Sequence, residues 1–269
     1  MPCGGRLPAA PNGLKFKRHW GFSMLLVKRF CTLLAAIVFA CGWPPSSANA
    51  IDVTPMVTQI TPTGATSSYR LGIKNTDDQP VTVEIEVYRM EVDENGVRTL
   101  TEEPNDITVF PPQSVIPPNR EQVVQVRYVG EPDVGPRMYL VRVGQLPIAF
   151  NSGDEEDRGA AVQVAFNINT HVLLSPSDAE ASIEVVSTRR AENGDVLIVA
   201  RNPGTGFALL RQARYTLTSD DGQTIEVPAE DVVVGQVSTL PAGATRNIRI
   251  PAALAPSLGP NVTASIVLS

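Results

Sequence analysis

The chain has 269 residues, with 22 Lys and Arg against 28 Asp and Glu and a net charge of −6. The balance is uneven: residues 1–50 carry six of the basic side chains and none of the acidic ones, which leaves residues 51–269 at −12. So acidic a surface repels phosphate and excludes non-specific nucleic-acid binding; all three cysteines lie before residue 42 and His171 is the one histidine after residue 50, which excludes thiol chemistry and a histidine metal cluster there.

The first element reads as an export address. From Met24 a basic start (Lys28, Arg29) leads into the apolar run Leu33–Ala40, closed by Trp43-Pro44-Pro45 and followed by Ala48-Asn49-Ala50. That order of basic, apolar and small residues marks a signal peptide cleaved after Ala50, and the run is shorter than the roughly 20 residues a membrane span needs. Residues 1–23 then form an upstream extension, and the start codon is Met1 or Met24. A rival reading acylates Cys41 of "VFAC" as a lipoprotein site, although Phe39 fits it poorly.

From residue 51 short alternating runs follow one another: "SYRLGIKN" (68–75), "VTVEIEVYRM" (81–90), "EQVVQVRYV" (121–129), "RMYLVRVGQL" (137–146) and "AVQVAFNI" (161–168). Segments rich in Gly, Pro, Asn and Asp separate them, and none keeps a period of 3.6, so they are predicted strands. A second series begins after "LSPSDAEA": 182–188, 195–202, 207–219, 223–228, 245–251 and 261–269, with hairpin turns at "ENGD" and "DDG". Each series has about the ~100 residues of an immunoglobulin-like sandwich. The expectation is an all-β chain of two tandem immunoglobulin-like β-sandwich domains, 51–174 and 175–269, with a single larger β-domain as the rival.

Little in this chain points to catalysis. It has no H-E-x-x-H, no G-x-S-x-G and no cysteine nucleophile after residue 50. Glu155-Glu156-Asp157 and Asp220-Asp221 read as solvated turn charge rather than general-acid pairs. "NPGTGF" (202–207) contains a G-x-G, yet no helix follows to bind phosphate, and it reads as a plain turn. The expectation is a non-enzyme without cofactor, metal or small-molecule substrate.

The segment "AVQVAFNINTHVLL" (161–174) stands apart. It places Val162, Val164, Phe166 and Ile168 on one face and Gln163, Asn167 and Asn169 on the other. Such a face either fills the chain's own core or is kept for another protein.

Several stretches resemble the periplasmic pilus chaperones, the PapD-like family. Asn75 to Pro80 resembles that family's early N-x-x-x-x-P turn, and "VTVEIEVYRME" the strand after it. "FPPQSVIPPNREQVVQVRYVGEPDVGPRMYLVRVGQLP" is similar to its proline-led segment, its strand ending in V-R, its P-D loop and its aromatic strand. "VQVAFNINTHVLLSP" resembles the donor (G1) strand, and "RNPGTGFALL" the opening of a second-domain strand. The resemblance implies a periplasmic chaperone that inserts its G1 strand into the groove of a pilus, fimbrial or surface-coat subunit, which is donor-strand complementation, and hands the subunit to an outer-membrane usher. Val162, Val164, Phe166 and Ile168 are then the donor residues. The runner-up is an exported or lipid-anchored adhesive or scaffolding protein, and a secreted hydrolase comes last.

The chain also departs from the pattern. The family anchors the subunit's terminal carboxylate with an Arg and a Lys, and Gln59 and His171 stand at those positions. Arg142 and Lys74 are the candidate replacements. Arg127 aligns with an arginine of the family's domain cleft, whose usual partners fall on Pro136 and Ser175, so that charge network is expected to be lost.

Overall fold

The alternation becomes paired strands almost throughout. The computed structural model describes residues 51–103, 105–146 and 166–269; the expected leader and the donor positions Val162 and Val164 lie outside them. Ten strands build the first sandwich: β1 (Ile51–Thr54), β2 (Val57–Ile60), β3 (Ser68–Asn75), β4 (Val81–Val92), β5 (Arg98–Glu102), β6 (Ile107–Phe110), β7 (Gln113–Ile116), β8 (Glu121–Tyr128), β9 (Arg137–Leu146) and β10 (Asn167–Leu174). A back sheet runs β1-β3-β8-β6 and a front sheet β2-β10-β9-β4-β5, with β7 also on β4. The first strand thus changes layer at Pro55: β1 pairs β3 in the back sheet and β2 runs parallel to β10 in the front one.

Inward-facing residues of both layers, among them Leu71, Ile73, Val83, Val124, Val126, Tyr139, Val141 and Val172, form one core. The Asn75–Pro80 turn has a physical reason. The buried Asn75 amide donates to the carbonyls of Gln79, Ile116 and Pro117 and accepts from Asp77 N–H, so one side chain pins the loop to the neighbouring strand end.

The second sandwich comprises β11 (Glu184–Arg190), β12 (Val196–Arg201), β13 (Ala208–Leu209), β14 (Arg214–Ser219), β15 (Thr224–Val227), β16 (Thr239–Leu240), β17 (Thr245–Ile250) and β18 (Val262–Val267). Its sheets are β11-β12-β17 and β15-β14-β18, with a short β13-β16 pair, around a core of their own. "NPGTGF" is a turn: Asn202 donates to Gly206 and Leu240 and accepts from Ser182 and Gly204, while Thr205 and Gly206 donate to the Glu180 carbonyl. A Cβ at Gly204 would lie 2.4 Å from that carbonyl, so the glycine permits the close approach.

Two expectations are corrected. β1, β2, β5, β6 and β7 were not anticipated, because strands of four or five residues beside proline leave too short a pattern. The run 207–219 is two strands, broken after Leu209 by a turn whose Leu210 carbonyl accepts the buried Tyr215 hydroxyl. Residues 161–165 of the strand expected over 161–168 lie outside the described residues, and β10 runs from Asn167 to Leu174.

Candidate functional site

β10 is held on one side along its whole length by β9, from Asn167 opposite Gly144 to Leu174 opposite Arg137. Its other side is covered only in part, because the β2 ladder begins at His171 opposite Val57. The Gln145 N–H donates to the Phe166 carbonyl at 2.9 Å, so even-numbered residues direct their backbone groups to β9. Odd-numbered residues point the other way: His171 N–H finds the Met56 carbonyl at 2.8 Å, but no described strand stands opposite Asn167 and Asn169. Among the described residues the front sheet therefore has an open backbone edge over the first half of β10.

Side chains change along the same strand. Val172 and Leu174 are fully buried in the first core, and Ile168 packs against it from a half-buried position. Phe166, on the same face, is 49% exposed. The apolar row begins in the chain's own core and leaves it at Phe166. Of the four donor candidates, then, Ile168 is largely spent at home, Phe166 is available, and Val162 and Val164 lie outside the described residues.

The outer face of the front sheet adjoins this edge, and the ladder registers set out its rows. Nearest the second sandwich run Gln59, Leu173, Met138, Met90 and Leu100; then Val57, His171, Leu140, Tyr88 and Glu102; then Asn169, Arg142 and Glu86. Met90, Met138, Leu140 and Leu173 are buried against Phe207 and Val237 of the second sandwich. The face thus grades from apolar where the second sandwich covers it to polar beside the open edge.

Three of the four carboxylate-anchor candidates share this face. Arg142 lies beside the edge: its Nε donates to Asn169 Oδ1 at 3.2 Å, its Nη1 to the Tyr88 hydroxyl at 3.1 Å, and its guanidinium sits 4.6 Å above the Tyr88 ring. Glu86 supplies a carboxylate at 3.5 Å and is itself half exposed. The charge of Arg142 is thus partnered within a surface cluster. Gln59 donates to the buried Ser175 hydroxyl at 2.8 Å and so ties β2 to the end of β10. His171 is held below the usual histidine range by burial first and by the positive Arg98 second, so it is a neutral imidazole at pH 7. Lys74 stands apart: it lies exposed on the back sheet, opposite Asp52 and Glu121, and the fold does not bring it to the other three.

Tyr88, Asn169 and Arg98 were not singled out in the sequence. Register is what assembles them, since Tyr88 and Asn169 come from strands 81 positions apart. Arg127 is exposed on the back sheet opposite Ser68 and Thr108, and a partly buried charge cluster lies elsewhere: Arg137 and the Tyr139 hydroxyl both donate to Asp106, at 2.9 and 2.6 Å.

Residues 52–180 match the family described as pili and flagellar-assembly chaperone, PapD N-terminal domain. A comparison with curated proteins finds no match. Among solved structures, the class 5 fimbriae chaperone CfaA aligns at 11% identity over 82% of this chain and 93% of its own, with a TM-score of 0.52. A chaperone–tip adhesin complex of CFA/I fimbriae aligns at 10% identity over 82% and 92%, TM-score 0.50, and the YadV chaperone at 13% over 80% and 90%, TM-score 0.50. At such identities the likeness is one of fold.

Proposed function

We propose, from the match of residues 52–180 to the pilus-assembly chaperone family, that this chain is a PapD-like protein that caps an incomplete β-sandwich subunit by pairing the open edge of β10 with it. The observation that carries this reading is the coincidence, on one strand, of a backbone edge at Asn167 and Asn169 that is unpaired among the described residues and an apolar row that departs from its own core at Phe166. A subunit sandwich that lacks a strand presents the complement: two unpaired edges over an apolar groove.

Docking satisfies backbone N–H and C=O groups on both partners and removes the exposed half of Phe166 from water, together with Val164 and Val162 if the alternation continues. Apolar burial at about 25 cal/mol per Å² gives several kcal/mol for such a row before ordering costs. No nucleotide, metal or covalent step is required, because release needs only a better-fitting strand.

Arg142 is the group we assign to the subunit's terminal carboxylate. Tyr88 and Asn169 hold its fork in place, and the half-exposed Glu86 is a partner that an incoming carboxylate can displace. The periplasm is the proposed compartment, reached through the leader ending at Ala50, and an outer-membrane usher the proposed recipient.

The test is co-expression with a panel of strand-deficient fimbrial subunits followed by pull-down. Wild-type protein should retain one of them as a stable pair, and Phe166→Asp should lose it at normal yield. Retention by the variant would overturn the reading.

A further inference from the structure

The tip of the β4–β5 hairpin, residues 93–97, crosses to the second sandwich. The Gly96 carbonyl accepts from the N–H groups of Gln236 (3.0 Å) and Val237 (3.1 Å), and the Glu94 carbonyl from Asn247 N–H (2.7 Å). The Asn247 amide also donates to Asn95 Oδ1 at 3.0 Å. Here two backbones touch: a Cβ at Gly96 would meet the Val234 carbonyl at 2.4 Å, and one at Gly235 the Asn95 carbonyl at 2.3 Å. Both glycines have positive φ, +74° and +93°.

Behind this contact lies Arg246, which is fully buried at 0% exposure and heads the largest buried side chains. It sits at the position of β17 whose alternation, with Ile248 and Ile250, calls for an apolar residue. Its Nη1 donates to the carbonyls of Val234 (2.7 Å) and Val237, and its Nη2 to that of Thr239 (3.2 Å). Its Nε has no hydrogen-bond partner among the described residues. A buried cation is costly, and three carbonyls turned inward are the compensation here. With those carbonyls drawn in, the N–H groups of Gln236 and Val237 are aimed outward at Gly96.

We infer that Arg246 is a positioning residue: it shapes the 234–239 loop into a socket for the 93–97 tip and so fixes the angle between the two sandwiches. This rests on the chaperone reading in one respect only, that the angle sets the opening over the Arg142 row and the β10 edge. A pre-set angle raises affinity because no domain ordering is left to occur on binding.

The test separates the two ideas. Spin labels at Gln125 and Ser265, both exposed and one on each sandwich, report the inter-sandwich distance in a full-chain background with Cys3, Cys31 and Cys41 changed to serine. The wild type should give one narrow distribution with no subunit present. Gly96→Asn keeps a residue that tolerates positive φ but drives its Cβ into Val234, so the distribution should broaden or shift while circular dichroism stays native. Arg246→Met should do the same; should it fail to fold, Gly235→Asn attacks the socket side instead.

Capture of a strand-deficient fimbrial subunit should fall about tenfold in each loosened variant. A broad wild-type distribution, or unchanged distances in Gly96→Asn and Gly235→Asn, overturns the inference. Loosened distances with undiminished capture overturn the positioning role. A wild type that captures no subunit sinks the chaperone reading and leaves the distance result to decide the elbow by itself.

Discussion

The two ends of β10 obey one sequence rule and meet opposite fates. From His171 to Leu174 the strand is sealed: β9 pairs it on one side and β2 on the other, Val172 and Leu174 fill the first core, and Leu173 is packed under the second sandwich. From Phe166 to Thr170 the same alternation continues with β9 the only described strand beside it, and the apolar row emerges at Phe166. Along the inward row, Phe166, Ile168, Thr170, Val172 and Leu174, residue type does not separate the ends. The difference is where β2 begins, and β2 is placed by the shift of the first strand from the back sheet to the front sheet at Pro55. An edge left open by a neighbour's late start is normally a liability, and here it is the part of the surface with a proposed use.

The sharpest way to break the comparison is to put the same charge at both ends. Val172→Asp buries a carboxylate with no partner in the core and should cost more than about 4 kcal/mol, enough to prevent folding. Phe166→Asp removes a half-exposed ring and should cost about 1 kcal/mol. Circular dichroism shows whether Val172→Asp folds at all, and denaturant unfolding measures the loss in Phe166→Asp. Equal losses would mean that Phe166 belongs to the core after all.

Arg142→Ala is expected to come next in size. It removes the guanidinium fork beside the open edge and should weaken subunit capture about tenfold, roughly 1.4 kcal/mol, with a smaller change in stability because Glu86, Tyr88 and Asn169 all remain within reach of water once it is gone. Shortening the subunit's C-terminus should then add no further loss in the variant. A full additional loss, measured by titration calorimetry, would assign the carboxylate to another group, with Arg98 the next cation on that side of the sheet.

How much of this was legible follows from periodicity. The long strands β3, β8 and β9 were readable because eight to ten residues of alternation outweigh local noise. Asn75 and Asn202 stood in recognisable turn motifs, although only the fold shows that each is a buried hub of hydrogen bonds. The anchor candidates illustrate the limit. Arg142 and Lys74 were both candidates by charge, but nothing local could tell that Tyr88 stacks on the one or that the other lies on the opposite layer, because those facts depend on register and sheet membership. Arg246 was the most visible missed signal. In "TRNIRIP" an arginine takes the inward position beside two isoleucines, and a charge at a core position demands a structural reason.

The smallest expected effect concerns the seam between the two ends, His171, the first residue with β2 beside it. Its neighbours across the ladders are Val57 and Leu140, and Arg98 is the charge that reaches it. Burial and that positive field lower its pKa from the ordinary 6.5, so the folded protein binds a proton less readily than the unfolded chain. Stability is therefore fully present above about pH 6.5 and declines as the pH falls through the lowered folded value. The decline attributable to this residue should be less than about 1 kcal/mol, since only one partly buried group is involved. His171→Gln keeps a polar side chain that does not titrate and should flatten that part of the profile between pH 7 and pH 5. An unchanged acid slope in the variant, followed by thermal unfolding, would assign the pH sensitivity to the carboxylates and leave the seam without a titrating group of its own.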